Sequence, residues 1–253
     1  MARKAMYYYG KVFLSNDTGY YQIVLANNIE RMKAIFLTTN TEVWVSADQV
    51  DNGTVFDRYF PTVCGVGYLG EYSTLDKDGN TTKEYTAWRC MLERCYGNKE
   101  LEAYKYCIVS EEFHNASYFK DWYNKQVGRY SKDFQLDKDI LSEDCKIYAE
   151  DTCVLVPSEI NMFFVKHNNK KVKSNLPTGV MYNPKNTSRP FTAMYSGHGG
   201  EKHMSYHENE WSAFIAYKQA KENRAKELAE KWCGQIDDRV YEKLINYKVL
   251  LTD

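Results

Sequence analysis

The stretch that decides the reading of the fold is LPTGVMYNPKNTSRPFTAMYSGHGGEKHMSYHENEWSAFIAYKQAKENRAKELAEKW, residues 176–232. Its first half holds three short runs, GVMYNPK, RPFTAMYSG and EKHMSYH, separated by turn residues, and these predict three strands. After His207 the period changes. Trp211, Phe214 and Ile215, then Ala225, Leu228 and Ala229, recur at helical spacing, which predicts one long helix over roughly 210–232. The tail IDDRVYEKLINYKVLL predicts one more short helix.

Upstream of that stretch lies KHNNKKVKSN, residues 166–175, a polar and basic segment. From Lys166 to Ser205 seven basic residues (Lys166, Lys170, Lys171, Lys173, Lys185, Arg189 and Lys202) face Glu201 alone, a local charge of +6. The whole chain carries −1, so the remainder carries −7. A basic block in an acidic chain has the form of a module for an anionic ligand, and a solvated linker has the same composition.

Further upstream, KEYTAWRCMLERCYG changes to helical period, with Trp88, Met91, Leu92 and Cys95 on one face and Gly97 as the stop. A second helix is predicted over roughly 115–127, capped by Asn115, with Phe119 and Trp122 on one face. QLDKDIL, residues 135–141, reads as the end of a strand. IYAEDTCVLVPSEINMFF then reads as a strand over Cys153–Val156, a turn at Pro157, and a helix carrying Ile160 and Asn161. Residues 7–65 read as all-β. The runs YYQIVL, KAIFL and EVWVS alternate with SNDTG and DNGT at the spacing of a small barrel or meander. The expected fold class is therefore α+β.

Bulk composition sets outer limits. With 253 residues the chain has room for two or three modest domains, and 43% hydrophobic with 26% charged residues is ordinary for a soluble globular protein. No run approaches the ~20 apolar residues of a membrane helix. MARKAMYYYG lacks an apolar core after its basic start, so neither a signal peptide nor membrane association is expected, and the expected location is cytoplasmic. Seven cysteines, none in CxxC, argue for reduced thiols. Cys95, Cys107, Cys145 and Cys153 match no zinc spacing, and no zinc is expected. His198, His203 and His207 have no metal-ligand spacing either.

Two segments carry a family likeness. GVxYxxxxxRxxA, a third strand, then an aromatic helix with xAYxxAK and a closing LA, within residues 176–232, resemble the ethylene-response-factor (APETALA-like) DNA-binding domain carried by phages and mobile elements. From YTAWRCMLERCYG through LDKDIL to YAEDTCVLVPSEIN, residues 85–161 resemble the HNH, or ββα-metal, endonucleases that phages pair with that domain. The N-terminal part is similar to what precedes these modules in phage homing-type endonucleases. The resemblance implies an SH3-like β-barrel over 1–70, an HNH-like ββα-metal domain over 71–165, and a three-stranded sheet packed on a helix, followed by a C-terminal helix, over 166–253.

It also implies chemistry. An HNH strand ends in a metal ligand followed by a histidine that deprotonates water, a role suited to an imidazole pKa near ~6.5. Here Asp137 stands at the ligand position, Lys138 at the position of the base, and Asn161 at the helix-borne ligand. Thr152 occupies the place of the orienting asparagine. Asp137 and Asn161 would offer oxygens to Mg²⁺ or Mn²⁺. A lysine, with a usual pKa near ~10.4, is a poor base unless that value is driven down. His114, in EEFHNAS, is the nearest histidine in sequence. In the C-terminal domain the resemblance implies a sheet laid in the major groove of duplex DNA, with Tyr182, Lys185, Arg189, Tyr195, Lys202 and His203 as candidate contacts. Tyr182 and Tyr195 can equally pack between sheet and helix.

Three functions compete. The first is a divalent-metal endonuclease on double-stranded DNA of the HNH homing type. The second is a sequence-specific DNA-binding regulator or accessory protein whose nuclease site has degenerated at Lys138. The third is a protein-binding module acting on a host protein, and the near-neutral total charge supports it. The oligomeric state is not readable from the chain.

Overall fold

A computed structural model of the chain describes residues 2–97, 102–142, 146–165, 176–197 and 202–251. The fold is mixed α and β with several sheets. It divides into two compact units, one of residues 1–124 and 146–149, the other of residues 125–145 and 150–253. The basic segment 166–175 and the glycine-rich tip 198–201 lie outside the described residues.

The first unit opens with a short helix, α1 (Ala2–Ala5), and four strands: β1 (Val12–Ser15), β2 (Gly19–Leu25), β3 (Met32–Phe36) and β4 (Glu42–Val45). They form one antiparallel sheet in sequence order. Alternation divides its faces. Tyr21, Ile23, Met32, Ala34, Phe36 and Val45 point inward and are buried with Ala5, Tyr8 and Val55. Helix α2 (Ala47–Asp51) closes the same face with Ala47 and Val50. A capping box starts it: Gln49 N–H donates to the Ser46 hydroxyl, and Ser46 N–H donates to the Gln49 side chain. The expected SH3-like barrel is not closed: of the two expectations, barrel and meander, the sheet is the meander. β1 and β4 are its two edges and do not pair, because α1, α2 and residues near Val55 complete the core that closure would otherwise have to complete.

After α2 the chain runs without helix or strand to Lys83, and helices then predominate. α3 (Lys83–Tyr96) is capped by Thr82 and buries Trp88, Met91 and Leu92 at the expected spacing. The 3-10 turn Glu102–Tyr104, β5 (Ile108–Val109), α4 (Glu111–His114) and α5 (Ala116–Lys125) follow. The indole N–H of Trp88 donates to the carbonyl of Phe113 at 2.7 Å, which ties α3 to α4. Phe113 meets Phe119 and Trp122 of α5 at ring separations of 5.1 and 5.0 Å. The Asn115 side chain accepts from Ser117 N–H, as the start of a helix requires.

The second unit begins with β6 (Phe134–Asp137). The chain then returns to the first unit for β7 (Ile147–Tyr148), which lies parallel to β5, and comes back as β8 (Val154–Pro157). β6 and β8 pair antiparallel, with Asp137 opposite Val154 and Gln135 opposite Val156, and α6 (Ser158–Phe164) follows directly. Three strands come next: β9 (Val180–Tyr182), β10 (Phe191–Ser196) and β11 (Lys202–His207). They form an antiparallel sheet with β10 central. α7 (Glu210–Lys231) packs on one face, started by Asn209, whose side chain accepts from Ser212 N–H. Gly179 leads into β9 at φ +74°, and a Cβ there would stand 2.1 Å from the Tyr217 ring of α7, so only glycine permits this approach. α8 (Asp238–Ile245) completes the unit.

One hydrophobic core runs through this second unit. Ile140, Val154, Val156, Ile160 and Phe163 share it with Val180, Ala193, Phe214, Leu228 and Leu244. Glu159 adds a polar tie from α6 to α7, accepting from Trp232 Nε1 at 2.6 Å and Lys231 Nζ at 2.5 Å. The strand pair with its helix and the three-stranded sheet with its helix are therefore built as one body on both sides of residues 166–175.

Candidate nucleic-acid interface

The three-stranded sheet is covered on one side only. Register places Met181, Thr192 and Tyr206 in one row across it, Met194 beside Met204, and Ser196 beside Lys202. All seven lie on the face opposite α7. Met181, Met194, Met204 and Tyr206 are exposed by 53, 38, 56 and 45%, while Thr192, flanked by two of them, is buried. The Tyr206 hydroxyl lies 3.8 Å from the Met204 sulfur.

The expected contact residues distribute around this face. Lys202 lies on it, at the exposed start of β11. Lys185 and Arg189 lie in the loop from β9 to β10 and are exposed. Asn186 shapes that loop by accepting from Arg189 N–H at 3.2 Å, as Asn183 does from Lys185 N–H at 3.1 Å. Tyr182 and His203 have the parity of the helix-covered face, but both are exposed, Tyr182 leaning on Phe191 at 5.3 Å. Tyr195 is different. It shares the parity of Ala193, is buried, and belongs to the core. Its expected role on the open face gives way to packing between sheet and helix.

Sequence reading missed Met181, Met194, Met204 and Tyr206. The signal that finds them is register, because the paired and buried Val180 and Ala193 mark the inner side and the open side is the other parity.

The second expected site lies at the end of β6. Asp137 Oδ1 accepts from the backbone N–H groups of Asp139 and Ile140, both at 2.8 Å, and so turns the chain after the strand. Burial pushes its carboxyl above the usual range, against these two bonds, which pull it down. Asn161 on α6 donates to the Gln135 side chain at 2.8 Å, so strand and helix meet at an amide pair. Lys138 is buried, only 3% exposed, and its ammonium pairs with the Asp139 carboxylate. His114 sits in the other unit. Burial depresses its pKa, and its Nε2 is enclosed without a hydrogen-bond partner. Of the candidate thiols, Cys107 and Cys153 are buried, Cys95 is half-buried, and Cys145 lies outside the described residues.

The chain matches no family model, no curated protein and no solved structure. Among the described residues no helix is long and apolar enough to cross a membrane.

Proposed function

We propose that the chain is a double-stranded-DNA-binding protein of phage or mobile-element type, built on the parts of an HNH homing endonuclease, and that its work is binding. The carrying observation is the one-sided C-terminal sheet. Its helix face enters the core through Val180, Ala193 and Tyr195, and its open face ends in Lys202 and borders the loop of Lys185 and Arg189. Strands ~4.8 Å apart suit a major groove ~12 Å wide. Lysine and arginine at the rim supply phosphate contacts. Methionines and Tyr206 in the middle offer apolar contact to base edges, including thymine methyl groups.

Cleavage is the part the geometry supports least. The oxygens of Asp137 and Asn161 suit a hard divalent cation such as Mg²⁺ or Mn²⁺. When bound, such an ion supplies positive charge toward a phosphate. What is missing is a base. Lys138, which stands at the position of the base, is buried with its ammonium engaged by the Asp139 carboxylate, an arrangement that holds the chain end rather than presenting a group to water. Asp137 holds the turn after β6, and Asn161 holds α6 against β6, so both already have structural work.

The test is a supercoiled-plasmid assay with Mg²⁺ and, separately, Mn²⁺, run beside a gel-shift assay. The expected result is a DNA shift by wild type without nicking. Nicking that disappears in Asp137→Ala would establish the endonuclease reading in its place. A second reading, a protein-binding module, is favoured by the methionines on the open face, since flexible thioethers suit adaptable protein contacts. It predicts no DNA shift at low salt.

A further inference from the structure

The N-terminal sheet also has an open face, which the DNA-binding reading leaves without a role. Register places Leu14 beside Tyr20, Val12 in one row with Gln22, Ile35 and Glu42, and Leu25 in one row with Lys33 and Trp44. Val12, Leu14, Tyr20 and Trp44 are each exposed by half or more. Their inward neighbours along the strands, such as Tyr21 and Ile23, are fully buried, so the exposed set forms a complete second face of the sheet.

The charged groups on this face are engaged within it. Lys33 and Glu42 pair across neighbouring strands at 2.5 Å, and the Arg31 guanidinium lies 4.6 Å over the Trp44 ring. A nucleic acid finds no row of free cations here, and a charged protein segment finds no counter-charge. An identical face matches it, because an isologous contact sets two apolar faces together while each Lys33–Glu42 pair and each Arg31–Trp44 contact stays satisfied within its own copy.

We propose that this face seals against the same face of a second copy, giving a weak, concentration-dependent homodimer. Area supports this occupant. Four strands about 4.8 Å apart and about 17 Å long present roughly 300 Å² in projection, and side-chain relief raises the accessible area to roughly 500 Å². Two such faces would bury roughly 1,000 Å², the lower edge of specific interfaces. The two sheets would pack about 10 Å apart, as in a sandwich.

Sedimentation equilibrium of the full chain tests this from about 1 µM to about 300 µM, the range of a weak dimer. Salt of about 0.5 M in the buffer suppresses charge-driven association. The apparent mass is expected to rise from 29.6 kDa toward twice that value. A Leu14→Lys/Trp44→Lys variant is expected to stay at 29.6 kDa throughout. Tyr20→Lys is a milder second variant, expected to weaken association at least about tenfold. Met194→Lys, on the other sheet, is expected to associate like wild type. Wild type that stays monomeric at every concentration overturns the proposal. So does association that survives in both N-terminal variants, or that Met194→Lys abolishes.

Discussion

The N-terminal and C-terminal sheets solve one problem in the same way and end with different surfaces. Each is antiparallel, each runs in simple up-and-down order, and each seals one face against helices. In the first, the open face is apolar and its Lys33 and Glu42 neutralise each other. In the second, the open face is methionine-rich, and Lys185, Arg189 and Lys202 have no carboxylate partner among the described residues. Those three cations at one face, against a single arginine held over Trp44 on the other, are the difference between the two surfaces.

The sharpest way to break this comparison is to exchange neighbours that differ only in facing. Tyr21 is fully buried between Phe13 and Phe36, and Tyr20 is 57% exposed. Tyr21→Ala is expected to cost about 3–5 kcal/mol in urea unfolding, against about 0.5 kcal/mol or less for Tyr20→Ala. The same contrast is expected between Tyr195→Ala and Met194→Ala in the C-terminal sheet. Equal losses within either pair would mean that the face assignment is wrong.

A smaller effect should come from Tyr21→Phe. The Tyr21 hydroxyl is buried without a hydrogen-bond partner, and burial pushes its pKa up to about 12. Removing it should stabilise the first unit by about 1 kcal/mol. A loss in the thermal midpoint would contradict that.

Glu222 gives a pH test confined to the second unit. Its carboxylate accepts from Lys218 Nζ at 2.6 Å and from Val249 N–H at 3.0 Å, holding the C-terminal segment on α7. Burial opposes its charge, but the Lys218 and Val249 hydrogen bonds outweigh burial and hold its pKa below the usual glutamate range. A lowered folded-state pKa means stability that is present above the unfolded value and lost as pH falls through the folded one. Glu222→Gln should therefore cost about 1 kcal/mol at pH 7, and its melting curve should converge on that of wild type below about pH 4. A difference that persists in acid would remove the ionised carboxylate from the account.

Much of the fold was legible in the residues. The spacing of Trp88, Met91 and Leu92, and the run from Trp211 to Ala229, located α3 and α7, because a buried helical face must repeat at 3.6 residues. The three C-terminal strands were legible from their turns. The barrel was not, because nothing in a strand says whether an edge pairs with another strand or a helix fills the core instead. Tyr195 falls on the inner face of the C-terminal sheet because alternation along β10 sets Phe191, Ala193 and Tyr195 against Thr192, Met194 and Ser196, and an aromatic ring alone does not tell one side from the other. Picking charged and aromatic residues favoured Tyr195 and passed over Met194. At the second site, LDKDIL showed the lysine, but only the fold shows it buried against Asp139.

The most direct test of the central claim is fluorescence anisotropy of a labelled duplex across a salt series, wild type beside Lys185→Glu/Arg189→Glu. Wild type should bind with a log–log salt slope of about −3, the value for three to four neutralised phosphates, and the double variant should lose about two units of that slope and at least about tenfold in affinity. Absence of wild-type binding at low salt, or binding that neither salt nor the double substitution weakens, would contradict it.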